Sequence, residues 1–172
     1  MKKNHTAPFL LSGMAMFAVA LLSVVSTPAV EAAGDPIVVI VNAANPVDNL
    51  SMSELKKLFL SDRSKWDTGR VVAPVIVSAG APERTAFLKL VCGMNDAQFS
   101  KHFLQAAFNG KSATAPKEVS SVRGVKGVVV SSPGAIGFVK ALDFHGDGSD
   151  GGVKSVKIDG VAAADAGYKL KM

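Results

Sequence analysis

Apolar and polar positions divide the chain into short blocks whose period changes from one to the next. Ile37–Val41 reads IVVIV, an unbroken β-branched run of the kind expected in a strand covered on both faces. Asn42 to Asn45 and Pro46 break the run as a loop. The period then becomes helical: Leu55, Leu58 and Phe59 share a face behind Ser51-Met52-Ser53-Glu54, a capping-box pattern. The polar stretch from Ser61 to Arg70 carries the only tryptophan, Trp66, read as a cover for the core. Val71–Val77 (VVAPVIV) predicts a second strand, with Pro74 marking an edge or a bulge. Pro82 suits the first turn of a helix that carries Phe87, Leu88 and Val91 on one side and stops at Gly93.

Asn95 or Asp96 caps the next helix, where Phe99, Phe103 and Ala107 recur every four residues before Gly110. From Pro116 to Val130 the pattern supports two readings. Val119, Val122 and Val129 suit a helix, while Gly124 and Gly127 weaken one. Ser132-Pro133-Gly134 is a turn into a third strand, Ala135–Val139 (AIGFV). Val153–Ile158 alternates like a strand and ends at Asp159-Gly160, a hairpin turn. Strands alternating with helices predict an α/β layered domain.

The first residues follow a different logic. Lys2 and Lys3 precede an apolar run from Phe9 to Val25, then Pro28 and the small-residue stretch Ala29 to Ala33. Residues 1–32 read as a secretory signal peptide, cleaved near Ala32 or Ala33, with 33–172 as one mature domain. A retained membrane anchor is the alternative, for which the run is a little short. The expected location is periplasmic or secreted, with no stable anchor after cleavage. Lipid attachment would need a cysteine just after the run, and the only one is Cys92. Without a partner in an oxidising compartment, Cys92 is expected to be buried.

The chain of 172 residues is 48% hydrophobic, which excludes a disordered polypeptide. Its 19 basic and 14 acidic side chains lose two and one with the leader, leaving a mature net charge of +4. That mild excess suits an anionic ligand and is too small for a dedicated nucleic-acid binder. A lone cysteine and three histidines exclude a disulfide, a thiolate zinc cluster and a histidine-rich metal site.

Several motif-like segments lack the context their chemistry needs. Gly110-Lys111-Ser112 resembles a P-loop end, but Gln105 stands where that loop needs glycine, and the segment follows a helix. Gly146-Asp147-Gly148-Ser149-Asp150-Gly151 fits G-x-G-x-x-G between two strand-like segments, with no helix to receive a pyrophosphate, and reads as a hairpin loop. Asp143, Asp147 and Asp150 miss the spacing of a calcium loop. His102 lies within a helix and His145 in a loop, and no G-x-S-x-G elbow exists. No enzymatic activity, metal or cofactor is expected.

Taken in order, Asn45-Pro46-Val47, Leu50-Ser51, Glu54-Leu55, Leu58-Phe59-Leu60, Lys65-Trp66, the strand ending near Ser78, Arg84 to Phe87 and Ser132–Val139 form a recognisable series. The series resembles the phosphate-binding proteins of bacterial ABC transporters, of the type II periplasmic-binding-protein superfamily, and more narrowly their short single-domain relatives. It covers roughly residues 36–144. The resemblance implies one lobe of a two-lobed fold, a mixed sheet flanked by helices. It also implies capture of phosphate or another small oxyanion, working with a membrane permease. In that family a serine-glycine-threonine turn after a strand presents backbone N–H groups and a helix dipole to the anion.

The corresponding turn here reads Ser78-Ala79-Gly80-Ala81-Pro82-Glu83-Arg84-Thr85. The expected site is Ser78, Gly80, Ala81, Arg84 and Thr85, with the Gly80, Ala81 and Thr85 amides as donors. The turn departs from the family pattern. Ala81 and Pro82 replace a hydroxyl residue and a glycine, Pro82 removes an N–H, and Glu83 brings a negative charge. Val77 stands where the family has an arginine. Arg84 has a second reading, as a solvated helix residue. The rival function is a non-catalytic interaction or scaffold domain that kept the fold, lost the ligand, and binds a protein partner or another copy.

Overall fold

A computed structural model describes residues 34–110, 113–146 and 151–172. Residues 1–33, on which the expected leader falls, Lys111-Ser112 of the P-loop-like segment, and Asp147 to Asp150 lie outside the described residues.

Strand β1 (Ile37–Asn42) is buried along its whole length. It lies between two antiparallel neighbours, β5 (Ala135–Lys140) and β6 (Val153–Ser155). Beyond β5 the sheet turns parallel, through β3 (Ala73–Val77) to β4 (Lys117–Val119), giving the order β4-β3-β5-β1-β6. A second, two-stranded parallel sheet joins β2 (Asn49–Leu50) to β7 (Lys157–Ile158). The sheet is mixed, as expected for one such lobe.

Alternation along the strands sorts side chains into two cores. Ile37, Val39 and Val41 face the larger core, with Ile76, Ile136 and Phe138. Helix α1 (Met52–Phe59), helix α2 (Pro82–Phe87) with the π-helical turn Leu88–Cys92, and helix α3 (Asp96–Phe108) cover that side. Val38, Ile40, Val75, Val77, Ala135 and Val139 face the smaller core under helix α4 (Val122–Ser131). Gly137 makes that second contact possible: a Cβ there would meet Val125 Cγ1 at 2.6 Å, so only glycine lets α4 approach. On the first side Phe87 stacks on Phe138, with ring centres 3.9 Å apart, and meets Phe59 edge-on at 4.7 Å. Trp66 is buried and donates from Nε1 to the Gly134 carbonyl at 2.9 Å.

Ser51 caps α1 as its sequence foretells. Its hydroxyl accepts from the Glu54 amide and the Glu54 side chain accepts from the Ser51 amide. These bonds, the Ser51 amide first, hold the Glu54 carboxyl below its ordinary value. The charged form is therefore favoured in the folded state. Its contribution is present above the ordinary carboxylate range and is lost as pH falls through the lowered folded value. Ser51→Ala is expected to cost about 1 kcal/mol. It should also flatten the fall of stability between about pH 6 and pH 3 in urea titrations.

Four details differ from the sequence reading. Ala106, not Ala107, completes the buried face of α3, because the 3.6-residue period brings the third contact one position early. The ambiguous stretch 116–130 resolves into β4 followed by α4, with Ser121 as cap. The alternating run 153–158 splits into β6 and β7. Val156 N–H still bonds to Val39 of β1, whereas Lys157 N–H turns to Asp48. Pro74 lies on an interior strand. The Ala73 N–H bonds toward β5, so the Pro74 nitrogen faces the β4 side, where pairing starts only at Val75.

Candidate functional site

The parallel strands β3, β4 and β5 end at one edge of the sheet, and chain leaving that edge forms the expected site. In open α/β sheets ligands bind outside the carboxyl ends of such strands. Ser78 follows β3 directly. Its N–H and its hydroxyl both donate to the Val119 carbonyl, at 2.8 and 3.1 Å, tying the bend to the end of β4. Gly80 then turns through φ +91°, in open space. The Ala81 N–H reaches back to Ser78 O at 3.5 Å, and Pro82 begins α2 with no side-chain cap.

Of the three amides expected to meet an anion, two already have acceptors. Ala81 closes the bend, and Thr85 N–H donates to Ala81 O at 3.1 Å as the first full helical bond. The Thr85 hydroxyl bonds to the same carbonyl at 3.4 Å. Val77 is a buried core residue of β3, and its side chain offers nothing to the bend.

Arg84 differs from both of its sequence readings. It is neither solvated nor turned out as a clamp: 2% of it is exposed. Its Nη1 donates to Val77 O at 2.9 Å and to Glu118 Oε1 at 2.7 Å, and its Nε to Asp96 Oδ1 at 2.5 Å. The reason is electrostatic, since a buried guanidinium persists only when its donors are matched by acceptors. The arginine thus fastens together the end of β3, the edge strand β4 and the first turn of α3. Glu83 is also buried, at 5% exposure, and its Oε2 lies 3.6 Å from Nζ of Lys140 at the end of β5. The bend therefore holds Ser78, Gly80 and Ala81 together at the surface, sends Arg84 beneath it, and leaves Thr85 exposed.

Glu118, Asp96 and Lys140 complete this edge, and the sequence reading did not single them out for it. They lie 34, 12 and 57 positions from the residues they pair with, and no local pattern encodes such pairing. Within this group of five side chains two cations face three carboxylates.

Cys92 and His102 are held in the fold by packing and a backbone contact. Cys92 is buried, and burial pushes its thiol up to about 11, so it stays protonated near neutrality. His102 Nε2 lies 3.2 Å from Leu60 O and its ring meets Phe103 edge-on. Among the described residues no group of three or more His, Cys, Asp or Glu could hold a metal. No described helix is long and apolar enough to cross a membrane. Two cavities, of about 250 and 340 Å³, are lined by Leu58, Val72 and Pro74 and by Pro36, Val38 and Phe144, and neither includes a residue of the bend.

No protein-family model matches the chain. Several solved structures resemble it. A candidate phosphate ABC transporter substrate-binding protein from Clostridium perfringens, with bound phosphate, aligns with a TM-score of 0.60 and 23% identity over 76% of this chain and 48% of its own. An ABC-type phosphate transport receptor from Vibrio cholerae aligns at 0.62 and 20%, over 80% and 54%. PstS from Borrelia burgdorferi aligns at 0.65 and 11%, over 81% and 55%. The chain spans about half the length of these proteins. It therefore has the fold of one lobe of the phosphate-type ABC-transporter substrate-binding proteins.

Proposed function

We propose that this chain is an exported, non-catalytic binding lobe of the phosphate-receptor fold that acts through contact with a partner protein, and that it does not trap a free oxyanion at Ser78–Thr85. One observation carries the reading. Arg84 and Lys140, the cations tied to the bend, are engaged internally, Arg84 by Asp96 and Glu118 and Lys140 by Glu83, and this group of five side chains carries one net negative charge. An oxyanion needs unspent donors and positive potential, and at a surface open to water it must also displace solvent from every donor. Leu142, 77% exposed two residues beyond Lys140, gives the same edge an apolar contact point. The leader pattern of residues 1–32 supports export to the periplasm or beyond.

Titration calorimetry of the mature chain with phosphate, sulfate and molybdate tests this. The expected result is no saturable heat at millimolar ligand. Saturable phosphate binding overturns the reading and restores its rival.

That rival is capture of phosphate or a similar oxyanion for a membrane permease, at Ser78, Gly80, Ala81, Arg84 and Thr85. The phosphate-receptor descriptions of the similar structures favour it. So does the start of α2, which no side chain caps.

A further inference from the structure

We propose that Glu83 and Glu118 are the residues that keep oxyanions off the bend of this lobe, Glu83 by engaging the partly exposed Lys140 and Glu118 by offsetting the charge of the buried Arg84. The inference rests on the partner-binding reading above and deepens it by naming what sets the edge's specificity.

The Glu83 carboxylate is the less expected of the two. A buried carboxylate normally accepts several hydrogen bonds, because losing its water is costly. Among the described residues its one ion-pair partner is Lys140, with Nζ at 3.6 Å, beyond hydrogen-bond distance. Among the described residues it shows no hydrogen bond to a backbone amide, and it stands in the first turn of α2, where a negative charge suits the helix dipole. Its physical effect at that position is therefore its charge, set beside the one lysine at the end of β5. Glu118 stands on the short edge strand β4 with its side chain 55% exposed, and takes up Arg84 Nη1.

The guanidinium does not depend on Glu118 to stay folded. Asp96 on Nε and the Val77 carbonyl on Nη1 remain when Glu118 is neutralised. The three bonds use Nε and Nη1 only, so Nη2 makes none to the described residues. Neutralising both glutamates takes these five side chains from one net negative charge to one net positive, with Lys140 released from its pair and Arg84 left on Asp96 and the Val77 carbonyl. Asp96 is left in place, so no buried cation is stranded.

The test compares the mature wild-type chain, Glu83→Gln/Glu118→Gln and the same variant with Lys140→Met, each titrated calorimetrically with sodium phosphate. The expected result is a silent wild type and saturable binding by the double variant at least about tenfold tighter than the wild-type detection limit. Lys140→Met should remove that binding. A double variant that unfolds cooperatively yet stays silent overturns the inference and leaves the partner-binding reading standing. Binding that survives Lys140→Met also overturns it, since the ion then sits elsewhere. Phosphate binding by the wild type overturns both. If the double variant does not fold, Glu83→Gln alone decides: phosphate should raise its melting temperature and leave the wild type unmoved, and equal behaviour of the two overturns the inference.

Discussion

Arg84→Met is expected to lower the unfolding free energy by about 3 kcal/mol, read as a shift of the urea midpoint at unchanged slope. The cost does not come mainly from the carboxylates left behind. The Asp96 side chain is 33% exposed and that of Glu118 55%, so water recovers most of what each loses. It comes from the Val77 carbonyl, which loses its Nη1 donor at the buried end of β3, and from the loss of a three-way fastening. Lysine cannot rescue it. An ammonium is a single point, whereas the observed bonds leave two different nitrogens toward α3, β3 and β4. Arg84→Lys should therefore recover less than half of the loss. Glu118→Gln alone should cost under about 1 kcal/mol. That ordering separates a buried fastening from a surface clamp, for which all three changes would be small.

The same residue shows where sequence reading stops. The runs at 37–41, 71–77 and 135–139 each carry enough β-branched bulk to specify a strand locally, and each holds one, though the second begins only at Ala73. Pro82, Gly93 and the Ser51 box mark ends because their backbone chemistry is local too. Strands β2, β4 and β7 hold two or three residues, too few for a period to show, and exist because a neighbour pairs with them. Order within the sheet is not local at all: β1 joins β5 and β6, from the far end of the chain.

The bend at Ser78–Thr85 was legible as an address and not as a charge balance. The strand-to-helix bend fell where the pattern put it, but whether Arg84 faced solvent or core depended on Glu118 and Asp96, residues of other elements. Glu83 was visible as a negative charge in the turn. Its pairing with Lys140 was not, because nothing in either segment reports that β3 and β5 are neighbours.

Alkaline titration should expose the larger core. Burial raises Cys92 from its ordinary 9.0 to about 11, against the opposing charge of Lys56. It raises Tyr168 from 10.0 to about 12, against a backbone hydrogen bond from Val39. In both cases the unfolded chain releases its proton first. The stabilisation is therefore whole below the unfolded value, and drains away as pH climbs toward the folded one. Each gap is worth about 3 kcal/mol. Between about pH 9 and pH 12 the chain should lose roughly 5 kcal/mol, enough to unfold a marginal domain. The Tyr168 hydroxyl also donates to Ile37 O at 2.8 Å, fixing the C-terminal segment against β1, where Ile37 N–H in turn bonds to Leu170 O at 2.8 Å. Tyr168→Phe should therefore be about 1 kcal/mol less stable than wild type at neutral pH. As the wild-type phenol begins to ionise in its unfolded state, that deficit should shrink, and the two stability curves should meet above about pH 11. Parallel curves across the whole range would mean that the tyrosine does not titrate differently on folding, and that the C-terminal segment is not packed against the central strand.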